Sequence, residues 1–169
     1  HASLIDGCRL SRAKCVRFEH ANYHDLHEKM STSKFRHSVV VTDGVFSMDG
    51  DTAPLKEISE ICSKFGAWLM VDDAHGFGVL GRNGGGLVEM MGLAYEQVPI
   101  LVGTFGKSFG TYGAFVAGSD ALIESLIQFS RNYIYTTALP PALAHATSVS
   151  LKIVEAEPWR RERLADNIR

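Results

Sequence analysis

The amino-acid sequence predicts an α/β domain built on a largely parallel sheet. Three observations point to it. Four short runs, residues 38–42, 68–71, 100–104 and 114–117, are largely apolar, the first of them β-branched, and have the length of buried strands. Stretches with helical spacing and helix-ending residues separate several of them. Polar residues and glycines follow the first three runs directly, as they do where strands end at the carboxyl edge of an open sheet.

Taken in order, Ser38-Val39-Val40-Val41-Thr42 reads as a buried strand. Pro54 opens a helix in which Leu55, Ile58, Ile61 and Cys62 share a face, and Gly66 ends it. Trp68-Leu69-Met70-Val71 is the second buried strand and stops at Asp72. The third is Ile100-Leu101-Val102-Gly103-Thr104, and the fourth Ala114-Phe115-Val116-Ala117. Only residues 105–113 join the last two, whereas a parallel crossover needs a dozen or more. The fourth strand is therefore predicted to run antiparallel. Helices are expected over 119–131, opened by Ser119 with Asp120, and over 141–156, opened by Pro140 and Pro141. Gly84, Gly85 and Gly86 read as a flexible surface loop. The chain begins at His1 and ends at Arg169 inside a charged helical stretch. Both ends read as cut from a longer chain.

A chain of 169 residues suggests one domain with a sizeable core. Hydrophobic residues at 46% and charged residues at 21% are ordinary for a soluble globular protein. With 17 basic residues against 19 acidic ones, nothing points to nucleic acid or a membrane surface as partner. No signal peptide and no membrane-spanning apolar run is present. Cys8, Cys15 and Cys62 are odd in number and widely spaced. They form neither a disulfide framework nor a metal pattern, and a reducing cytoplasm is the expected location.

Chemistry is expected in residues 42–51, 72–76 and 104–110, just past the strands. Asp72 and Asp73 follow four apolar residues, and an ionised carboxylate is costly to bury without a partner. They cap a turn, or bind a cationic group or metal. His75 lies three residues after Asp72, but no further His, Cys or Glu has ligand-like spacing, so no metal site is expected. Lys107 sits among Gly103, Gly106, Gly110 and Gly113, which let a backbone approach a ligand closely. A surface lysine is the ordinary alternative. A lysine withdrawn from water suits Schiff-base chemistry. A phosphate-binding loop is the rival, with Thr104, Ser108 and backbone amides as donors, although the Walker spacing is incomplete. The pair is more telling than either residue. A lysine for an aldehyde and a carboxylate for a ring nitrogen together suit pyridoxal phosphate. Of the 7 histidines, only His1 and His75 are singled out. His20, His24, His27, His37 and His145 read as surface or core residues.

Five segments, HASLIDG, VVVTDGVFSMDGD, WLMVDDAHGFGVLG, VGTFGKSFG and YIYTTALPPA, occur in this order. Together they closely resemble the α-oxoamine synthases, fold-type I pyridoxal-phosphate enzymes, over nearly the whole chain. The resemblance implies the three-layer sandwich of the aminotransferase-like large domain, its sheet mostly parallel with one antiparallel strand. It implies pyridoxal 5'-phosphate as cofactor, and amino-acid and acyl-thioester substrates condensed with loss of carbon dioxide. By position, Lys107 matches the Schiff-base lysine and Asp72 the partner of the pyridinium nitrogen. His75 matches the histidine near the phenolic oxygen, and His1 the one stacked on the ring. Ser47 matches a cofactor-contacting serine and Thr104 a phosphate-contacting threonine. Thr136 and Thr137 match a segment reaching the phosphate across a homodimer with a shared active site. Lys107, His75 and His1 are the catalytic candidates. Gly84-Gly85-Gly86 departs from the family's Gly-Arg-Gly. The glycine-rich upstream segment and the small domain, with its substrate-carboxylate arginine, are expected outside residues 1–169.

Overall fold

The computed structural model describes residues 1–169. In chain order its elements are α1 (Ala2–Leu10), α2 (Tyr23–Ser31), β1 (Val39–Asp43), α3 (Leu55–Phe65), β2 (Trp68–Asp72), α4 (Gly86–Met90), β3 (Ile100–Thr104), β4 (Ala114–Gly118), α5 (Asp120–Phe129), α6 (Arg131–Ile134), α7 (Pro141–Ala156) and α8 (Trp159–Ile168). The four strands lie side by side in the order β1-β2-β3-β4. β1, β2 and β3 are parallel, with Asp43 beside Asp72 and Asp72 beside Val102. β4 pairs antiparallel with β3, from Ile100 opposite Gly118 to Thr104 opposite Ala114, as the short connection requires.

The α3 helix carries much of the core. Leu55, Ile58, Ile61 and Cys62 are buried on the face that spacing predicts, packed with Val40, Leu69 and Val71 of the sheet. Gly66 ends the helix in the left-handed conformation, φ 63°, where its N–H caps the final turn. Burial of Cys62 pushes its thiol up to about 12.

Three expectations need correction, and three helices were not foreseen. Within this chain β1 and β2 are buried on one face only: Val40 and Thr42 are buried while Val39 is 52% exposed, and Leu69 and Val71 are buried while Trp68 is 56% exposed. Side chains alternate along a strand, and here the second face lies open. The helix expected over 119–131 is broken, because Ser130 is extended and α6 starts afresh at Arg131. Helices α1, α2 and α4 carry too few regularly spaced apolar residues to be read from pattern. The triple glycine is not a flexible surface loop. Gly84 and Gly86 are buried and begin α4. Lacking side chains, they let the backbone pack against its neighbours.

Candidate cofactor site

The parallel strands end together, and their last residues build one end of the sheet. Asp43 closes β1 and Asp72 closes β2 in adjacent register. His1 joins them there, its backbone nitrogen 2.7 Å from the Asp43 carboxylate. The His1 ring caps α1 through Ser3 N–H. Asp72 Oδ1 accepts the Ala74 N–H at 3.1 Å, which fixes the carboxylate at the mouth of the following turn.

That turn carries His75, and the β3–β4 connection carries Lys107. Lys107 Nζ lies 2.7 Å from His75 Nε2, so two residues far apart in sequence meet directly. A second bond ties the same segments together: the Ser108 hydroxyl donates to Phe77 O at 2.6 Å. Beneath them lies an aromatic bed. Phe77 stacks on Phe109 at 5.0 Å between centroids, and Phe105 and Phe115 complete it edge-on or tilted. Helix α7 braces the loop from behind, with Ser150 Oγ donating to Phe109 O at 2.9 Å and Thr147 meeting Thr111 at 2.8 Å.

Thr104 ends β3 with its hydroxyl engaged twice. It donates to Gly113 O at 3.0 Å and accepts the Gly106 N–H at 3.2 Å. Ser47 is exposed in the loop after β1, which the Val45–Thr52 bridge closes. Thr136 and Thr137 lie in a fully exposed segment between α6 and α7, and no hydrogen bond joins them to the other candidates. The structure thus brings Lys107 and His75 into contact and sets His1 against Asp43, the register neighbour of Asp72. It leaves Ser47, Thr136 and Thr137 on separate exposed loops.

One contributor escaped the sequence reading, and another was read only together with Asp72. His20 holds the Ser47 loop: its Nε2 meets Asp51 Oδ2 at 2.7 Å, and its ring lies edge-on to Phe46. Asp73 is wholly buried, and burial together with the Asp72 charge pushes its carboxyl up to about 6 against the pull of the Leu87 N–H. Alternation was the available signal, since Asp73 shares the buried face of Val71.

The donor set suits pyridoxal phosphate. A primary amine touches an imidazole, and a strand-end carboxylate opens the turn that carries the imidazole. No group of three or more His, Cys, Asp or Glu is placed to hold a metal ion.

Residues 1–169 match the aminotransferase class I and II family along their whole length. The chain belongs to that family. Among curated relatives, 8-amino-7-oxononanoate synthase of Methylococcus capsulatus is 57% identical over the full chain, which covers 44% of that relative. The chain therefore spans less than half the length of the relatives it matches. The solved 8-amino-7-oxononanoate synthase of Francisella tularensis superposes with a TM-score of 0.85 at 42% identity, covering 99% of this chain and 48% of that one. A serine palmitoyltransferase from S. paucimobilis, solved with bound PLP–myriocin aldimine, gives 0.93 at 40% identity, covering 99% and 42%. The family fold is the fold-type I arrangement that the sequence predicts, and its cofactor is pyridoxal phosphate.

Proposed function

We propose that the protein bearing this chain condenses L-alanine with a pimeloyl thioester, carried on CoA or acyl carrier protein, to 8-amino-7-oxononanoate in biotin biosynthesis. The contact of Lys107 with His75 beside the Asp72 carboxylate is the observation that carries the reading. The names of the relatives select the substrates. Bound here, pyridoxal phosphate supplies an electron sink for charge developing at the substrate's α-carbon.

The chain's own groups do the rest. Lys107 would hold the cofactor through its amine and, with that amine free, would serve as the base for the α-proton of the amino acid. Asp72 keeps a proton on the ring nitrogen by placing a negative charge against it. His75 holds the Lys107 amine in place and faces the phenolic oxygen. His1 offers a flat aromatic face to the ring. Ser47 and Thr104 would offer their hydroxyls to cofactor oxygens. Thr136 and Thr137 serve the phosphate in the site of a second protomer of a homodimer. Exposed Tyr133 and Tyr135 flank them, as suits a surface that a partner covers. Residues 1–169 then form the central part of the cofactor-binding large domain, with an N-terminal segment and a C-terminal small domain outside them. No helix is long and apolar enough to cross a membrane, and three free thiols suit the cytoplasm.

The test is carrier-thiol release from pimeloyl-CoA by the full-length protein, with alanine, glycine and serine compared. Alanine should lead. Preference for glycine or serine would move the protein to glycine C-acetyltransferase, 5-aminolevulinate synthase or serine palmitoyltransferase activity. Lys107→Ala should abolish the cofactor's lysine-linked absorbance band. A wild-type protein that never develops the band overturns the cofactor site itself.

A further inference from the structure

Asp73 is the charged residue the fold hides most completely, with 0% of its surface exposed. It faces away from Asp72, into the buried side of the sheet. Three backbone segments close on its carboxylate: Gly44 just past β1, Gly76 in the turn that carries His75, and Gly86 at the start of α4. A Cβ at position 44 would lie 2.6 Å from Asp73 Oδ1, and one at 76 or 86 would collide with the carboxylate outright. Only glycine fits at all three positions. Asp73 Oδ2 accepts the Leu87 N–H at 2.7 Å, while Oδ1 is buried without a hydrogen-bond partner.

The main chain of Asp73 is held as firmly. Its N–H donates to Val102 O of β3 at 2.8 Å, and its carbonyl accepts from Phe77 at 2.8 Å and Gly76 at 3.1 Å. Asp73 therefore fixes both ends of the short turn in which His75 sits. Ser108 joins that turn to the residue beside Lys107 through Phe77 O.

A buried carboxylate with one orphaned oxygen is an expensive way to fill space, because an apolar residue would avoid the desolvation cost. The geometry points to Asp73 as a positioning residue: by filling the cage of Gly44, Gly76 and Gly86 and holding Leu87, it sets the turn that presents His75 to Lys107. This rests on the reading of Lys107 as the cofactor-bearing lysine. Asp73 touches neither lysine nor cofactor and acts through His75.

The experiment is a spectroscopic pH titration of the Lys107-linked absorbance band in the full-length protein loaded with pyridoxal phosphate. His75→Ala should move the midpoint by about one pH unit, because it removes the group in contact with the amine. Asp73→Ala should reproduce at least half of that shift. Asp73→Asn keeps the shape and an acceptor for Leu87 N–H, so its midpoint should return close to wild type. In a His75→Ala background, Asp73→Ala should add nothing. The inference is overturned by a wild-type midpoint in Asp73→Ala, by an Asp73→Asn shift as large as that of Asp73→Ala, or by additive shifts in the double variant. Should Asp73→Ala not fold, Asp73→Ser takes its place, since it withdraws the oxygen from Leu87, and the same outcomes decide. Should neither fold, Asp73→Asn in the same His75→Ala cycle decides: a shift that persists there overturns the inference. A wild-type protein lacking the band altogether refutes the cofactor reading. A band present with midpoints that ignore Asp73 refutes only this inference.

Discussion

Residues 26–109 and residues 110–169 are held in place by different forces. All 20 buried residues lie in the first region, between Leu26 and Phe109. Helices α5, α6, α7 and α8 of the second contain none, and there Phe129 is 80% exposed. The first region is folded by apolar burial of α3 against β1 and β2. The second is fastened to it by the β3–β4 ladder and by polar bonds, Ser150 to Phe109 O and Arg161 to Arg82 O at 2.8 Å. Such bonds contribute about 1 kcal/mol each, much less than a buried leucine. The lesson is that Lys107 sits at the seam. Its loop rests on the hydrophobic region and is braced by the tethered one.

The sharpest way to break this contrast is Leu69→Ala in the first region. It should destabilise the chain by about 2–5 kcal/mol in urea unfolding. A loss under 1 kcal/mol would place the core elsewhere. Next comes Asp73, whose folded-state carboxyl is raised to about 6 from 3.8. Between those values the native state holds the proton more tightly than the unfolded chain. Stability should therefore fall by about 3 kcal/mol as pH rises from 4 to 6, and then level off. Asp73→Asn should flatten that slope in denaturation curves taken across the window. Gly66→Ala puts a side chain at φ 63° and should cost about 1 kcal/mol, read as a lower urea midpoint at unchanged slope. The smallest effect belongs to the second region. Trp159→Ala should change the stability of this chain by no more than about 0.5 kcal/mol. The same change in the full-length protein should cost more if further chain covers that face, and equal costs would show that it stays open.

Much of the first region was legible because local signals and tertiary burial agree there. β3 falls on Ile100–Thr104 as read, and α3 starts after Pro54 and stops at Gly66. The antiparallel β4 followed from the length of a loop. Asp72 and Lys107 were legible as a chemical pair, and the fold brings His75 into contact with Lys107. What pattern did not disclose was tertiary. A run of glycines reads alike whether it is a loose loop or a backbone pressed against a carboxylate, and only the fold brings Gly86 to Asp73. His20 looked ordinary because its partner, Asp51, is 31 residues away. Helix α2 did carry a cap, Asn22, whose side chain accepts from His24 and Asp25 N–H, but its weak apolar stripe hid the helix behind it.

The hairpin that carries Lys107 also limits how this chain can evolve. β3 and β4 are paired from Ile100–Gly118 to Thr104–Ala114, and the Phe105 and Gly113 main chains close the base of the loop at 2.9 Å. An insertion within 105–113 lifts the lysine away from His75, and a one-residue slip in the ladder turns Phe115 out of its aromatic bed. The number of residues in the lysine hairpin is therefore the constrained quantity.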